Sequence, residues 1–140
     1  MRLRVKRRHS VAQRALGGRV GEAIAGCGVD EKQAMTTNSE LFAVIWQYSI
    51  HGNLEREFLA AYRADGEWAR LFRQDPNYIR TELLQDANSK NRYMTIDYWT
   101  SQSARDAFQT MHGKEYAELD RRCDAFTTSE ELVGDFVSSR

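Results

Sequence analysis

Between Phe42 and Ile50 the chain alternates: Phe42, Val44, Trp46, Tyr48 and Ile50 fall on one side, Ala43, Ile45, Gln47 and Ser49 on the other. A period of two predicts a strand. The alternation returns in Arg92 to Trp99, where Met94, Ile96 and Tyr98 oppose Tyr93, Thr95, Asp97 and Trp99. Neither face of this segment suits open water, so it needs cover on both sides: helices on one, a second sheet or a ligand cavity on the other.

The segments between and after these strands read as helices and one more hairpin. His51-Gly52-Asn53 is a turn, with Asn53 expected to cap a helix whose stripe is Leu54, Phe58, Ala61 and Tyr62. Asp65 would fall on that apolar stripe and Gly66 follows, so the helix is expected to break there and resume from Glu67 to Arg73, burying Trp68, Leu71 and Phe72. Asp75-Pro76-Asn77 stops it, because a residue before proline is pushed out of the helical region. A second strand, Tyr78 to Asp86, then pairs through Ala87–Asn91 with the Arg92 strand. Ser101 is the expected cap of a helix with Ala104, Ala107, Phe108 and Met111 as its stripe, punctuated at Gly113. Tyr116, Leu119 and Cys123 mark a further helical run, and Glu130 to Val137 a last strand with a bulge at Gly134. The order βαββαβ predicts an α+β, ferredoxin-like unit: a four-stranded antiparallel sheet with its helices on one face. An uncovered aromatic sheet face on so small a domain predicts a homodimer.

Composition narrows the classes. The 140 residues are 41% hydrophobic and 29% charged, as in an ordinary globular chain, and no apolar run approaches the length of a membrane span. The zero net charge conceals an asymmetry. Residues 1–34 hold eight Lys or Arg against three acids, and residues 35–140 hold twelve against seventeen. An acidic body does not suit a phosphate backbone, so nucleic acid is not the expected partner. The head imitates an export signal, with a basic start, Arg7-Arg8, and a lipobox-like Ile24-Ala25-Gly26-Cys27. Arg14, Arg19 and Glu22 break what should be its apolar region, so export is not expected. Residues 1–38 are read instead as a disordered basic leader, with Met35 an alternative start, and residues 39–140 as the domain. Cys27 and Cys123 have neither metal-site nor disulfide spacing, which fits a reducing cytoplasm.

Residues 40–137, through Trp46-Gln47-Tyr48, Phe58, Tyr62, Gly66, Trp68, Leu71-Phe72, Tyr78, Thr81, Ile96-Asp97, Trp99, Ser101, Phe108, Tyr116 and Gly134-Asp135-Phe136, resemble the antibiotic biosynthesis monooxygenase-like (ABM) domains. Trp99-Thr100-Ser101, an aromatic strand end followed by a helix cap, is the most specific part. The resemblance implies a bacterial, dimeric α+β barrel. Some members oxidise polyketide-like aromatics with oxygen and neither metal nor flavin; others degrade haem or have no known reaction. Two departures matter. Phe108 stands where many members carry a helix histidine, and Gln47 or Ile45, Phe108 and Tyr116 to Leu119 replace the haem-degrading set.

Oxidation of an electron-rich phenol or anthrone requires deprotonation, a dry aromatic pocket and a group that stabilises the anion. Under that resemblance Trp46, Tyr48, Tyr98, Trp99 and Tyr116 are candidate substrate-binding residues, and His112 and Asp97 the candidate catalytic pair, with Arg92 a source of charge and the partner type expected for Asp97. Each has a structural alternative: core or interface aromatics, a helix-end cap for His112, a cross-strand partner for Asp97. No cofactor and no metal are expected, and the expected partners are a second copy and an aromatic small molecule. The alternative to an enzyme is a non-catalytic dimeric module that binds a small ligand or assembles.

Overall fold

The computed structural model describes residues 40–139. The basic leader, Cys27 and the alternative start at Met35 lie outside the described residues. Strands β1 (Phe42–Ile50), β2 (Tyr78–Gln85), β3 (Arg92–Trp99) and β4 (Thr127–Val137) form one sheet in the order β2-β3-β1-β4, antiparallel throughout. Helices α1 (Glu55–Tyr62) and α2 (Glu67–Phe72) follow β1; α3 (Gln102–Met111) and α4 (Gly113–Cys123) follow β3. This is the α+β, ferredoxin-like order expected. No helix among the described residues is long and apolar enough to cross a membrane.

Strand alternation decides which faces meet. Phe42, Val44, Trp46, Tyr48 and Ile50 are buried beside Tyr93, Thr95, Asp97 and Trp99, with Val44 opposite Asp97 and Phe42 opposite Trp99. Phe58, Tyr62, Trp68, Phe72, Phe108, Leu119 and Cys123 from the helices close over that face. Two aromatic groups fill it. Phe58 stacks on Tyr62 at 4.4 Å beside Tyr48, and Phe72, Trp99 and Phe108 meet edge-on or tilted at about 5.5 Å. Trp68 bridges the groups, 6.2 Å from Tyr62 and 5.8 Å from Phe72. The opposite face presents Ala43, Ile45, Met94, Ile96 and Tyr98, all half-buried, flanked by Leu84 and Phe136, which remain 49% and 48% exposed.

The chain breaks where the stripe demanded it. The Gly66 amide bonds Arg63 O at 2.8 Å, and a Cβ at Gly66 would sit 2.6 Å from Ala60 O and 2.7 Å from Ala61 O. Ser101 caps α3 through its Oγ, which accepts from the Ala104 amide at 3.1 Å. Other details differ from expectation. Asn53 does not cap α1: Gly52–Leu54 forms a 3-10 turn first, and α1 starts at Glu55 without a side-chain cap. The α3 stripe is also shifted. Met111 is 76% exposed and Ala107 is exposed, while Arg105, Asp106 and Phe108 face inward. A charged pair occupies core positions there because its members neutralise each other. The last strand begins three residues earlier than expected, at Thr127, and its register shifts where Gly134 (φ +158°) faces Ile45. Cys123 is fully buried.

Gly66→Ala is expected to destabilise the domain by about 1–3 kcal/mol, since its new methyl meets backbone oxygens that cannot swing aside. The urea midpoint of the variant checks this.

Candidate functional site

The inner face of the sheet does not pack completely against α3 and α4. A cavity of about 10 Å³ remains, with Val44 and Trp46 of β1 and Asp97 and Trp99 of β3 as its floor. Arg105, Phe108 and Gln109 of α3 form the roof, and Phe72 and Tyr116 close the ends. Strand period two brings the two indoles and the carboxylate to one side, and helical spacing brings Arg105, Phe108 and Gln109 above them. The space accommodates about one water, far below the roughly 300 Å³ of a small-molecule site. An aromatic ligand can enter only if α3 and α4 move away from the sheet.

Two polar systems reach the cavity. On the sheet side, Thr81 Oγ1 donates to Asp97 Oδ1 at 2.6 Å, and the Tyr78 hydroxyl lies 2.7 Å from the same Oγ1. Burial pushes the Tyr78 phenol above its ordinary value and the Asp97 charge adds to this, while the Thr81 hydrogen bond and Arg73 pull the other way. On the helix side, Arg105 is 4% exposed; its Nε donates to Asp106 Oδ1 at 2.9 Å and its Nη2 to Asp135 Oδ2 at 3.4 Å. The guanidinium also lies 5.2 Å over the Phe42 ring. Gln109 Oε1 is buried with no hydrogen-bond partner. The arrangement offers a carboxylate facing a cation across a gap walled by indoles.

The residues singled out from the sequence fall into separate environments. Trp46, Asp97, Trp99 and Tyr116 share the cavity. Tyr48 does not line it; it is buried against Phe58 and Tyr62 and bonds Thr95 Oγ1 at 3.2 Å. Tyr98 is on the opposite face, under the Arg80 guanidinium at 4.1 Å. His112 joins α3 to α4, stacks on Phe108 at 4.6 Å and sets its Nδ1 2.9 Å from Glu115 Oε1, so it meets the cavity only through the Phe108 ring. Arg92 is not the partner of Asp97: it lies on the other face and binds Asp86 at 2.7 Å and Gln47 at 2.8 Å. Arg105 and Gln109 were missed. They stand at helical spacing with Phe108 and His112, a pattern hidden when only apolar positions are followed. Among the described residues no group of three His, Cys, Asp or Glu is placed to hold a metal.

A ferredoxin-like sheet with an aromatic-lined cavity beneath α3 and α4 defines a small α+β module. The family model for antibiotic biosynthesis monooxygenase matches residues 41–118, which include every residue lining the cavity. The chain belongs to the antibiotic biosynthesis monooxygenase family. Its fold is similar to that of SnoaB, a cofactor-independent oxygenase from Streptomyces nogalater, with 18% identity over 72% of this chain and 94% of that one and a TM-score of 0.56. It is also similar to a putative antibiotic biosynthesis monooxygenase from Nitrosomonas europaea, with 14% identity over 70% and 89% of the two chains and a TM-score of 0.54. At these identities the likeness is one of fold. No curated protein sequence matches the chain significantly.

Arg105→Met is expected to lower stability by about 3–5 kcal/mol, because it leaves the Asp106 carboxylate buried without its cation. Denaturant unfolding measures the loss.

Proposed function

We propose that the protein is a cofactor-independent monooxygenase that oxidises an aromatic small molecule in the cavity between the sheet and α3–α4. The observation that carries this reading is Asp97, a buried carboxylate set between two tryptophans in a narrow space lined by aromatic rings. Asp97 takes a proton from an acidic C–H or O–H of the substrate, and Arg105 on the opposite wall favours the anion so formed. The substrate then supplies the electrons itself. For an anthrone, the methylene carbon loses two hydrogens and gains one oxygen atom as a carbonyl, one O₂ is consumed, and the second oxygen atom leaves as water with those hydrogens. Trp46, Trp99 and Tyr116 hold the ring system and exclude water. His112, behind Phe108, serves the α3–α4 junction in this reading. The buried Cys123 fits a reducing compartment, and we place the protein in the cytoplasm.

Purified, metal-free protein is expected to consume oxygen with phenols or anthrones, and Asp97→Asn to slow that uptake about 100-fold. No uptake across a broad panel would sink the reading. A non-catalytic, ligand-binding or assembly module is the second reading, and the cavity of about 10 Å³ is what favours it.

In either reading the sheet face bearing Ile45, Met94, Ile96, Tyr98, Leu84 and Phe136 is covered by the same face of a second copy. Sedimentation should give a dimer, and Ile96→Glu should shift it toward monomer; a wild-type monomer at all concentrations would refute the assembly.

A further inference from the structure

Helix α3 sets two polar side chains over the cavity. Arg105 and Gln109, at helical i, i+4 spacing, share one face of the helix, and both line the space above Trp46 and Trp99. They differ in what they already hold. The buried Arg105 guanidinium donates through Nε to Asp106 and through Nη2 to Asp135, so it is turned to those two carboxylates and gives nothing to the carbonyl of Gln109. Gln109 as a residue is half-buried, yet its Oε1 is fully buried and accepts no hydrogen bond. The polar end of the side chain is therefore the end that points inward.

An oxygen so placed works against the fold. A buried carbonyl that has lost water and gained no donor is destabilising, whereas methionine would span the same length with no amide to satisfy. Helix propensity does not separate the two, since both are good helix formers. Gln109 thus brings nothing to the empty domain that an apolar residue would not bring without the penalty, and such a group calls for a reason outside packing.

We propose that Gln109 is a specificity-determining residue of the cavity, whose Oε1 accepts a hydrogen bond from a hydroxyl on the ring of an aromatic ligand; this rests on the reading above that places such a molecule between the sheet and α3–α4. A carbonyl oxygen only accepts, so it selects a donor. A ring bearing a hydroxyl satisfies it, while the same ring with that hydroxyl methylated leaves a buried acceptor unmatched. Holding and choosing are thereby separated: Trp46 and Trp99 offer flat apolar surface to any ring, and Gln109 above them fixes which edge turns to α3. That orientation decides which carbon of the ring system faces Asp97 on the opposite wall, where the oxidation is placed.

The test compares Gln109→Met, which keeps the length of the side chain and removes the amide, with Gln109→Glu, which keeps an acceptor oxygen at the same reach. Equilibrium dialysis with β-naphthol and with its methyl ether reads the choice of ligand without any turnover. Wild-type protein is expected to bind β-naphthol about 10-fold more tightly than the ether, Gln109→Met to bind the two within about 2-fold, and Gln109→Glu to keep the preference. Urea unfolding without ligand supplies a second measure. The midpoint of Gln109→Met should lie at or above that of wild type, because the unmatched oxygen is gone. A preference that survives Gln109→Met, wild-type protein that does not bind β-naphthol, or a midpoint lowered by Gln109→Met overturns the proposal. Oxygen uptake separates this from the reaction itself. Wild-type protein that prefers β-naphthol but consumes no oxygen with any phenol or anthrone removes the monooxygenase reading and keeps Gln109 as the selecting group of a binding module; uptake without the preference keeps that reading and removes Gln109.

Discussion

The chain of aromatic contacts from Tyr48 to Phe108 is the constraint on which the rest depends. It starts on β1, passes through Phe58 and Tyr62 on α1 and Trp68 and Phe72 on α2, and ends against Trp99 and Phe108. Such rings bury large apolar areas and favour edge-on or offset geometry, so they fix the separation of helices and sheet as well as holding them together. The helices after β1 and those after β3 are thereby tied to one floor. The cavity at Asp97 is the small space that remains where those rings meet the charged face of α3.

That charged face is what makes the space chemically distinct. Arg105 occupies a position that an ordinary amphipathic helix would give to leucine, and it does so because Asp106 and Asp135 neutralise it. The opposing carboxyl group accepts a hydrogen bond from Thr81 of β2. One wall of the cavity therefore carries a guanidinium and the other a carboxyl group, with indoles between them. A polarised gap of this kind has little use in a core built for stability alone, since replacing buried charges with packed apolar groups is often neutral or favourable.

Much of the fold was legible in the residues. Strict alternation marked β1 and β3, Gly66 marked the break between α1 and α2, and Ser101 marked the start of α3, because each depends on interactions within a few residues. The failures share a cause. Asn53 was read as a cap from its type, but a 3-10 turn placed it one step too early; Ala104, Ala107 and Met111 were read as a core stripe because they are apolar, while the buried side carries Arg105 and Asp106. Apolarity predicts burial only when no distant carboxylate neutralises a charged alternative, and Asp135 lies thirty residues away from Arg105 in sequence.

The candidate site divides the same way. The residue pattern by itself determined that Asp97 and Trp99 share one face of β3 and that Trp46 shares a face with Val44, since a strand's side chains alternate whatever surrounds them. Only the tertiary structure decided which face turns inward, that Tyr98 therefore leaves the site, that Tyr48 joins a different aromatic group, and that Arg105 and Gln109 complete the cavity. Strand register and helix docking set those distances, and both arise from contacts between segments far apart in the chain, which no local periodicity encodes.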